Sequence, residues 1–208
     1  MSEKQRKPDR RTAVTRTVIK DAMLALIKRD GFHKVTVASL CREAGVGRAT
    51  FYTHYTGLMD VIDELADDAI GAVRQSNANS YAATAHLADL VRPMEDAREL
   101  ENYLDLLPVC QRVADDPRYR PLFRDDQIAE YIILRIFRQE GAQAVPSIMA
   151  DTGLNRLEAE SLFLFGVMGA FAVNRAQHWT KDDNWYRIQR VLLTYVHGGY
   201  GAVKKLKS

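Results

Sequence analysis

Cysteine is nearly absent. The 208-residue chain has two, Cys41 and Cys110, far apart and outside any CxxC or Cys/His spacing. That excludes a disulfide framework and a zinc finger or ribbon, and it fits a reducing compartment. Long apolar runs are missing as well. The longest, Leu162 to Val173, falls short of the roughly 18 residues at which a membrane span becomes plausible, so no membrane partner is expected. The opening MSEKQRKPDRR is polar where a secretory signal would need an apolar stretch, and the expected location is the cytoplasm. Strand alternation, Asn-Gly or Asp-Gly hairpin turns and internal repeats are also lacking. Nor is there a phosphate-cradling glycine loop, a nucleophile beside a base, or a carboxylate pair with a His at helical spacing. His33, His86, His178, His197 and Arg135 are scattered. Without such a constellation the chain is not expected to be an enzyme or to hold a metal or cofactor, and a small helical enzyme is the reading these absences disfavour.

What is present describes a folded, asymmetrically charged protein. Hydrophobic residues make up 47% and charged residues 27% of the chain, close to the globular average and far from the composition of a disordered one. The first sixty residues carry twelve Lys or Arg against six Asp or Glu, whereas the remainder carries seventeen against twenty-one. A basic beginning on an otherwise acidic chain directs its positive field at a polyanion, and nucleic acid is the first partner to consider.

Helical periodicity runs through the chain, and the expected fold class is all-α. Residues 1–12 read as a flexible basic arm. From Thr12, the apolar positions Val14, Val18, Ala22, Leu24, Ala25 and Ile27 predict a helix that stops at Gly31. Thr36 is placed to cap a second helix ending at Gly45, and Gly47 a third from Arg48 to about Tyr55. A fourth is expected from Leu58 to about Asn79, with Leu58, Val61, Ile62, Leu65, Ala69 and Val73 as its apolar positions; at 1.5 Å per residue it would span roughly 33 Å, enough to join two domains. The domains expected are 13–73 and 74–208. Ser80 to Glu95 reads as soft. Helices follow over Arg98 to Ala114, with a break near Pro108, and over Asp126 to Gln143.

The last two helices are the informative part of the second domain. Ser161 to Val173 is apolar almost all round, which for a helix outside a membrane means burial on more than one side. Asn184 to Lys205 presents Trp185, Ile188, Leu192, Tyr195 and Val196 as a stripe. Gly166, Gly169, Ala170 and Val173 form a smooth strip that lets another helix approach. Together with Leu192 and Val196 they are the expected interface of a homodimer closed by a four-helix bundle.

The stretch TVASLCREAGVGRATFYTHY, Thr36 to Tyr55, meets the demands of a helix-turn-helix. Leu40, Cys41, Ala44, Val46 and Phe51 point to the crossing of two short helices. Gly45 takes the turn, and Arg48, Thr50, Thr53 and His54 face outward. Helix 1 with Thr36-Val37, Leu40-Cys41, Ala44-Gly45-Val46 and above all Arg48-Ala49-Thr50-Phe51-Tyr52-Thr53-His54-Tyr55 resembles the N-terminal domain of the TetR/AcrR family of transcriptional regulators, over about Ala13 to Val73. The resemblance implies a sequence-specific DNA-binding regulator, a repressor released from a palindromic operator by a small-molecule effector. A DNA-bound protein that regulates another protein is the alternative.

By the same resemblance Arg48, Ala49, Thr50, Tyr52, Thr53 and His54 lie on or beside the recognition helix, and Thr36 meets a phosphate. Three positions depart from the family pattern. Gly47 replaces a frequent capping Ser and Tyr55 the usual Phe, and Leu58 stands where relatives often carry a phosphate-binding Lys. Lys7, Arg10 and Arg11 of the basic arm would compensate by reaching the backbone or minor groove. The family's effector site implies a pocket in the second domain. Tyr103, Leu107, Cys110, Tyr131, Arg135, Phe165 and Met168 are its candidate lining, because they combine bulk with a few polar tips.

Overall fold

The computed structural model describes residues 10–75 and 81–205. Ten α-helices and two 3₁₀ segments make up the regular structure of these residues, with no strand among them. The chain divides into two compact units, one up to Asp68 and one from Ala69 onward, so the boundary falls inside a single helix.

The first unit holds α1 (Arg10–Asp30), a 3₁₀ turn (Phe32–Lys34), α2 (Val37–Ala44), α3 (Arg48–His54) and most of α4 (Leu58–Gln75). Helix α1 stops where Gly31 takes φ +81°, a conformation that costs a residue without Cβ little. Its buried stripe is Ile19, Ala22, Met23, Leu26 and Ile27, with Leu24 at the edge. Val14 and Val18, expected on that stripe, are instead 57% and 39% exposed, and Ala25 beside them is exposed too. The helix carries apolar residues in two phases about half a turn apart, and only the phase that meets α2 and α4 is covered. On α4, Val61, Ile62, Leu65 and Ala66 complete this core. The expected end of that helix near Asn79 lies outside the described residues.

The second unit contains α5 (Tyr81–Val91), a 3₁₀ segment (Ala97–Leu106), α6 (Val109–Arg112), α7 (Arg120–Arg124), α8 (Ala129–Thr152), α9 (Arg156–Ala176) and α10 (Asp183–Lys205). Three expectations are corrected here. Part of the stretch expected to be soft is helix α5, whose Leu87, Ala88 and Val91 pack on Trp185, Tyr186 and Leu193 of α10; tertiary burial decides a segment whose own polarity signal is weak. The stretch from 98 to 114 is mostly 3₁₀, kinked at Tyr103 and opened by an Asp96/Glu99 capping box. Helix α8 runs past Gln143 through Pro146 to Gly153, which closes it at φ +71°. Pro146 removes a helix N–H, and Ser147 turns its hydroxyl back onto the Gln143 carbonyl at 3.0 Å one turn away.

Helices α8 and α9 pack closely, with Phe137 stacked on Phe163 at 5.4 Å between centroids. The α9–α10 pair is pinned by a buried polar bond, Trp185 Nε1–H to Asn174 Oδ1 at 2.6 Å. By length and composition α9 could cross a membrane. Within this unit it instead lies against α8 and α10, and it carries the hydrogen-bonded Asn174 and a terminal Arg175 paired with Asp126.

Candidate nucleic-acid interface and ligand cavity

Helix α2 begins with a reciprocal cap. Ser39 N–H donates to Thr36 Oγ1 at 3.0 Å and Thr36 N–H donates to Ser39 Oγ at 2.9 Å, satisfying two donors that a helix start leaves open. The helix ends at Gly45, φ +65°, with Val46 N–H returning to the Cys41 carbonyl at 3.0 Å. Any side chain at position 45 would be strained in this left-handed turn. Leu40, Cys41 and Phe51 are buried at the crossing, with Ala44 and Val46 half-buried beside them.

With Phe51 wholly buried, the rest of α3 faces out. Arg48, Ala49, Thr50, Tyr52 and Thr53 are exposed and His54 is half-buried. The Arg48 guanidinium has no partner among the described residues, so all five of its N–H donors are open to an incoming acceptor. The Thr53 hydroxyl donates back to the Ala49 carbonyl at 3.0 Å, leaving a methyl and lone pairs outward. Tyr52 stands edge-on to Phe51, 5.3 Å between ring centroids, with its ring mostly in solvent. Thr36 is exposed at the start of α2, its hydroxyl engaged with Ser39. Gly47 caps α3 with no side-chain hydrogen bond. Arg10 and Arg11 are exposed in the first turn of α1 rather than in an irregular arm; Lys7 lies outside the described residues.

A polar cluster behind α3 holds it in place, and the residue patterns above did not reveal it. Glu64 Oε2 accepts from Arg16 Nε at 3.0 Å, Arg16 Nη2 at 2.6 Å and the Tyr55 hydroxyl at 2.7 Å. Glu64 Oε1 lies 2.9 Å from Lys20 Nζ, which also reaches Asp68 at 2.5 Å. Partial burial works against the Glu64 charge, but hydrogen bonds from Arg16, Lys20 and Tyr55 outweigh it and bring its pKa down to about 2. Burial, and then the bond to Glu64, pushes the Tyr55 hydroxyl well above its ordinary value, so it stays a donor. Tyr55 thus ties the end of α3 to α4 through Glu64 and to α1 through Arg16, whose guanidinium lies 5.6 Å from its ring centroid. The signal available in sequence was the matching four-residue spacing of Arg16/Lys20 and Glu64/Asp68.

The second unit contains a cavity of about 240 Å³. Gly166, Gly169, Ala170, Val173, Leu192 and Val196, expected at a dimer interface, line it. Of the residues expected to line a pocket, Cys110 and Phe165 do so. Leu107 is instead buried in the core around Trp185, with Tyr103 packed against it. Tyr131 and Arg135 on α8 and Met168 on α9 are not among the lining residues. Helix α9 is apolar on two sides; on the cavity side Gly166, Ala170 and Val173 are half-buried and Gly169 is exposed. Its other side carries Leu157, Leu164 and Phe165, and α10 adds Val191 and Tyr195, all exposed. Cβ atoms built on Gly198 and Gly199 would meet nothing within 4 Å. Phe165 and Tyr195 both line the cavity and reach the surface, so the cavity opens there.

A capped helix, a left-handed glycine turn and a second helix with an open arginine define a helix-turn-helix protein of the DNA-binding class. Residues 19–65 match the model of the bacterial regulatory proteins of the tetR family. Residues 19–65 thus form a tetR-type helix-turn-helix domain, the kind that serves a DNA-binding transcriptional regulator, and the all-helical fold agrees with this. No curated protein sequence matches it. Among solved structures it is similar to the dihydroxyacetone kinase operon activator DhaS, with 16% identity over 88% of this chain and 97% of that one and a TM-score of 0.47.

Proposed function

We propose that the protein acts in the cytoplasm as a homodimeric repressor that holds a palindromic operator and lets it go when a small apolar or amphipathic molecule fills the cavity of the second unit. The observation that carries the DNA part is α3: its inner side is fixed by Phe51, and its outer side offers Arg48, Thr50, Tyr52 and Thr53. Arg48 can donate two parallel hydrogen bonds to a guanine edge, whereas Thr50 and Thr53 make single contacts or touch a thymine methyl. Thr36, Tyr52, His54, Arg10, Arg11 and Lys7 are assigned to the phosphate backbone in this reading.

The dimer reading is supported by the outer stripe of α9 and α10, Leu157, Leu164, Phe165, Val191 and Tyr195. These positions repeat at helical spacing, and so many exposed apolar side chains on adjacent helices call for a partner surface. A second copy seated there would also cover the cavity mouth. A ligand shifts DNA affinity only if it binds the DNA-incompetent state more tightly. The test is selection of bound sequences from random duplexes by the full-length protein. The expected product is a two-fold symmetric site with half-sites in successive major grooves; an asymmetric site, or no enrichment, would contradict the proposal.

A further inference from the structure

We infer that the ligand of this cavity is an apolar molecule bearing a protonated amine, which seats between Gln111 and Glu140 and competes with Arg74 for the Glu140 carboxylate. The inference rests on the cavity being the effector site and adds its chemistry and its mode of regulation.

Most of the lining is apolar, including Ala88, Val109, Ile136, Phe163 and Val167, and no Lys or Arg is part of it. Two groups break that character. Gln111 is buried, and its Oε1 has no hydrogen-bond partner, an uncommon and costly state for an acceptor. Glu140 brings a carboxylate to the wall. Its Oε1 accepts both bonds from Arg74, Nε at 3.0 Å and Nη2 at 2.5 Å, while its Oε2 has no donor among the described residues. The negative charge is felt inside: burial, and then Glu140, pushes the neighbouring Cys110 thiol up to about 12. The other ionisable lining groups do not offset it. His197 lies 3.3 Å from Asp89, and burial pushes Tyr200 up to about 12, so it stays neutral.

These facts discriminate between ligand charges. An anion would meet Glu140 with no Lys or Arg on the wall. A neutral hydrocarbon would leave Gln111 Oε1 unpaired. An ammonium group supplies donors to both and a positive charge to one. Bound at the open Oε2, it also shares the carboxylate charge that holds Arg74 and weakens that pair; Arg74 lies in the last turn of α4, the helix whose earlier turns belong to the DNA-binding unit. Arg74 is nearly half exposed, so its pair with Glu140 is of the weak, displaceable kind.

The experiment is calorimetric titration of the full-length protein at pH 7 with octylammonium chloride, octan-1-ol and sodium octanoate, three probes of one chain length and different charge. Octylammonium is expected to bind at least tenfold more tightly than octan-1-ol, and octanoate more weakly than either. Glu140→Gln should erase the preference for the ammonium while octan-1-ol still binds, which also shows that the variant is folded. Gln111→Leu should reduce the preference, and Arg74→Gln should raise octylammonium affinity several-fold by removing its competitor. Octan-1-ol binding equally well, or a preference that survives Glu140→Gln, overturns the cation assignment and leaves the cavity reading standing. An unchanged or lower affinity in Arg74→Gln overturns the competition. Gly166→Leu, which fills open space in the wall, should block all three probes. If no probe binds the native protein at millimolar concentration, or Gly166→Leu changes nothing, the cavity reading fails along with the inference.

Discussion

The two units use polarity in opposite ways. In the first, charged and hydroxylated side chains build the scaffold: Glu64 gathers Arg16, Lys20 and Tyr55 around one carboxylate, and Thr36 and Ser39 close the start of α2. In the second, polar bonds such as Trp185 to Asn174 also pin helices, but polar atoms on the cavity wall are left with spare capacity, as Gln111 Oε1 and Glu140 Oε2 are. A surface that must present a fixed helix to a rigid duplex gains from a fully bonded lock. A cavity that must recognise a small molecule keeps bonding capacity in reserve, at some cost to stability.

The largest expected effect breaks the first unit and spares the second. Phe51→Ala empties the wholly buried centre of the helix-turn-helix and should cost about 3–5 kcal/mol. DNA binding should vanish while sedimentation still shows a dimer. Loss of both together would mean that the units depend on one another. Next, Leu157→Glu with Leu164→Glu places two charges on the exposed stripe of α9. Dimerisation should weaken by about 2–4 kcal/mol, read as monomers at micromolar concentration. If the double variant stays dimeric, the interface lies elsewhere.

A smaller effect tests the polar lock. Glu64→Gln should lower stability at neutral pH by about 1–2 kcal/mol, a figure kept modest because the cluster is partly solvated. The sign in pH follows from the depressed carboxyl: its contribution is full above the ordinary value of 4.5 and is lost as pH falls toward about 2. Denaturation of native protein and variant should therefore converge between those limits. A constant gap would assign the loss to packing instead. The smallest effect concerns the cap of α3. Gly47 sits at φ −72° and ψ 152°, and a Cβ there would come no closer than 3.8 Å to Thr50 Oγ1, so Gly47→Ser should add the missing cap bond and stabilise the first unit by a few tenths of a kcal/mol. A lower melting temperature would contradict that.

The same contrast explains what the sequence disclosed. The helix-turn-helix was legible because each of its signals is local. Thr36 caps three residues ahead, Gly45 is needed by one backbone angle, and Phe51 is the large apolar residue within α3 that turns inward. The Glu64 cluster was not, because Arg16 and Glu64, like Lys20 and Asp68, are 48 residues apart and charged pairs at helical spacing usually mark a solvated surface. In α1 the pattern fitted two phases, and Val14 and Val18 belong to the uncovered one. In α9 apolar residues on both sides hid which side met the cavity. Helix α5 and the passage of α8 through Pro146 depend on packing against residues far along the chain, which periodicity does not register.

Base reading by Arg48 of α3 is tested most directly by comparing native protein and Arg48→Ala on a selected operator and on scrambled duplex across a salt series. Loss of a bidentate contact to guanine should cost about 1–3 kcal/mol on the operator and little on scrambled DNA, relaxing the preference at one position per half-site. Replacing Arg10 and Arg11 should instead weaken both duplexes alike and lower the salt slope by about one for each lost phosphate contact. An unchanged ratio of operator to scrambled affinity in Arg48→Ala would mean that Arg48 does not read bases, even if the variant still binds DNA.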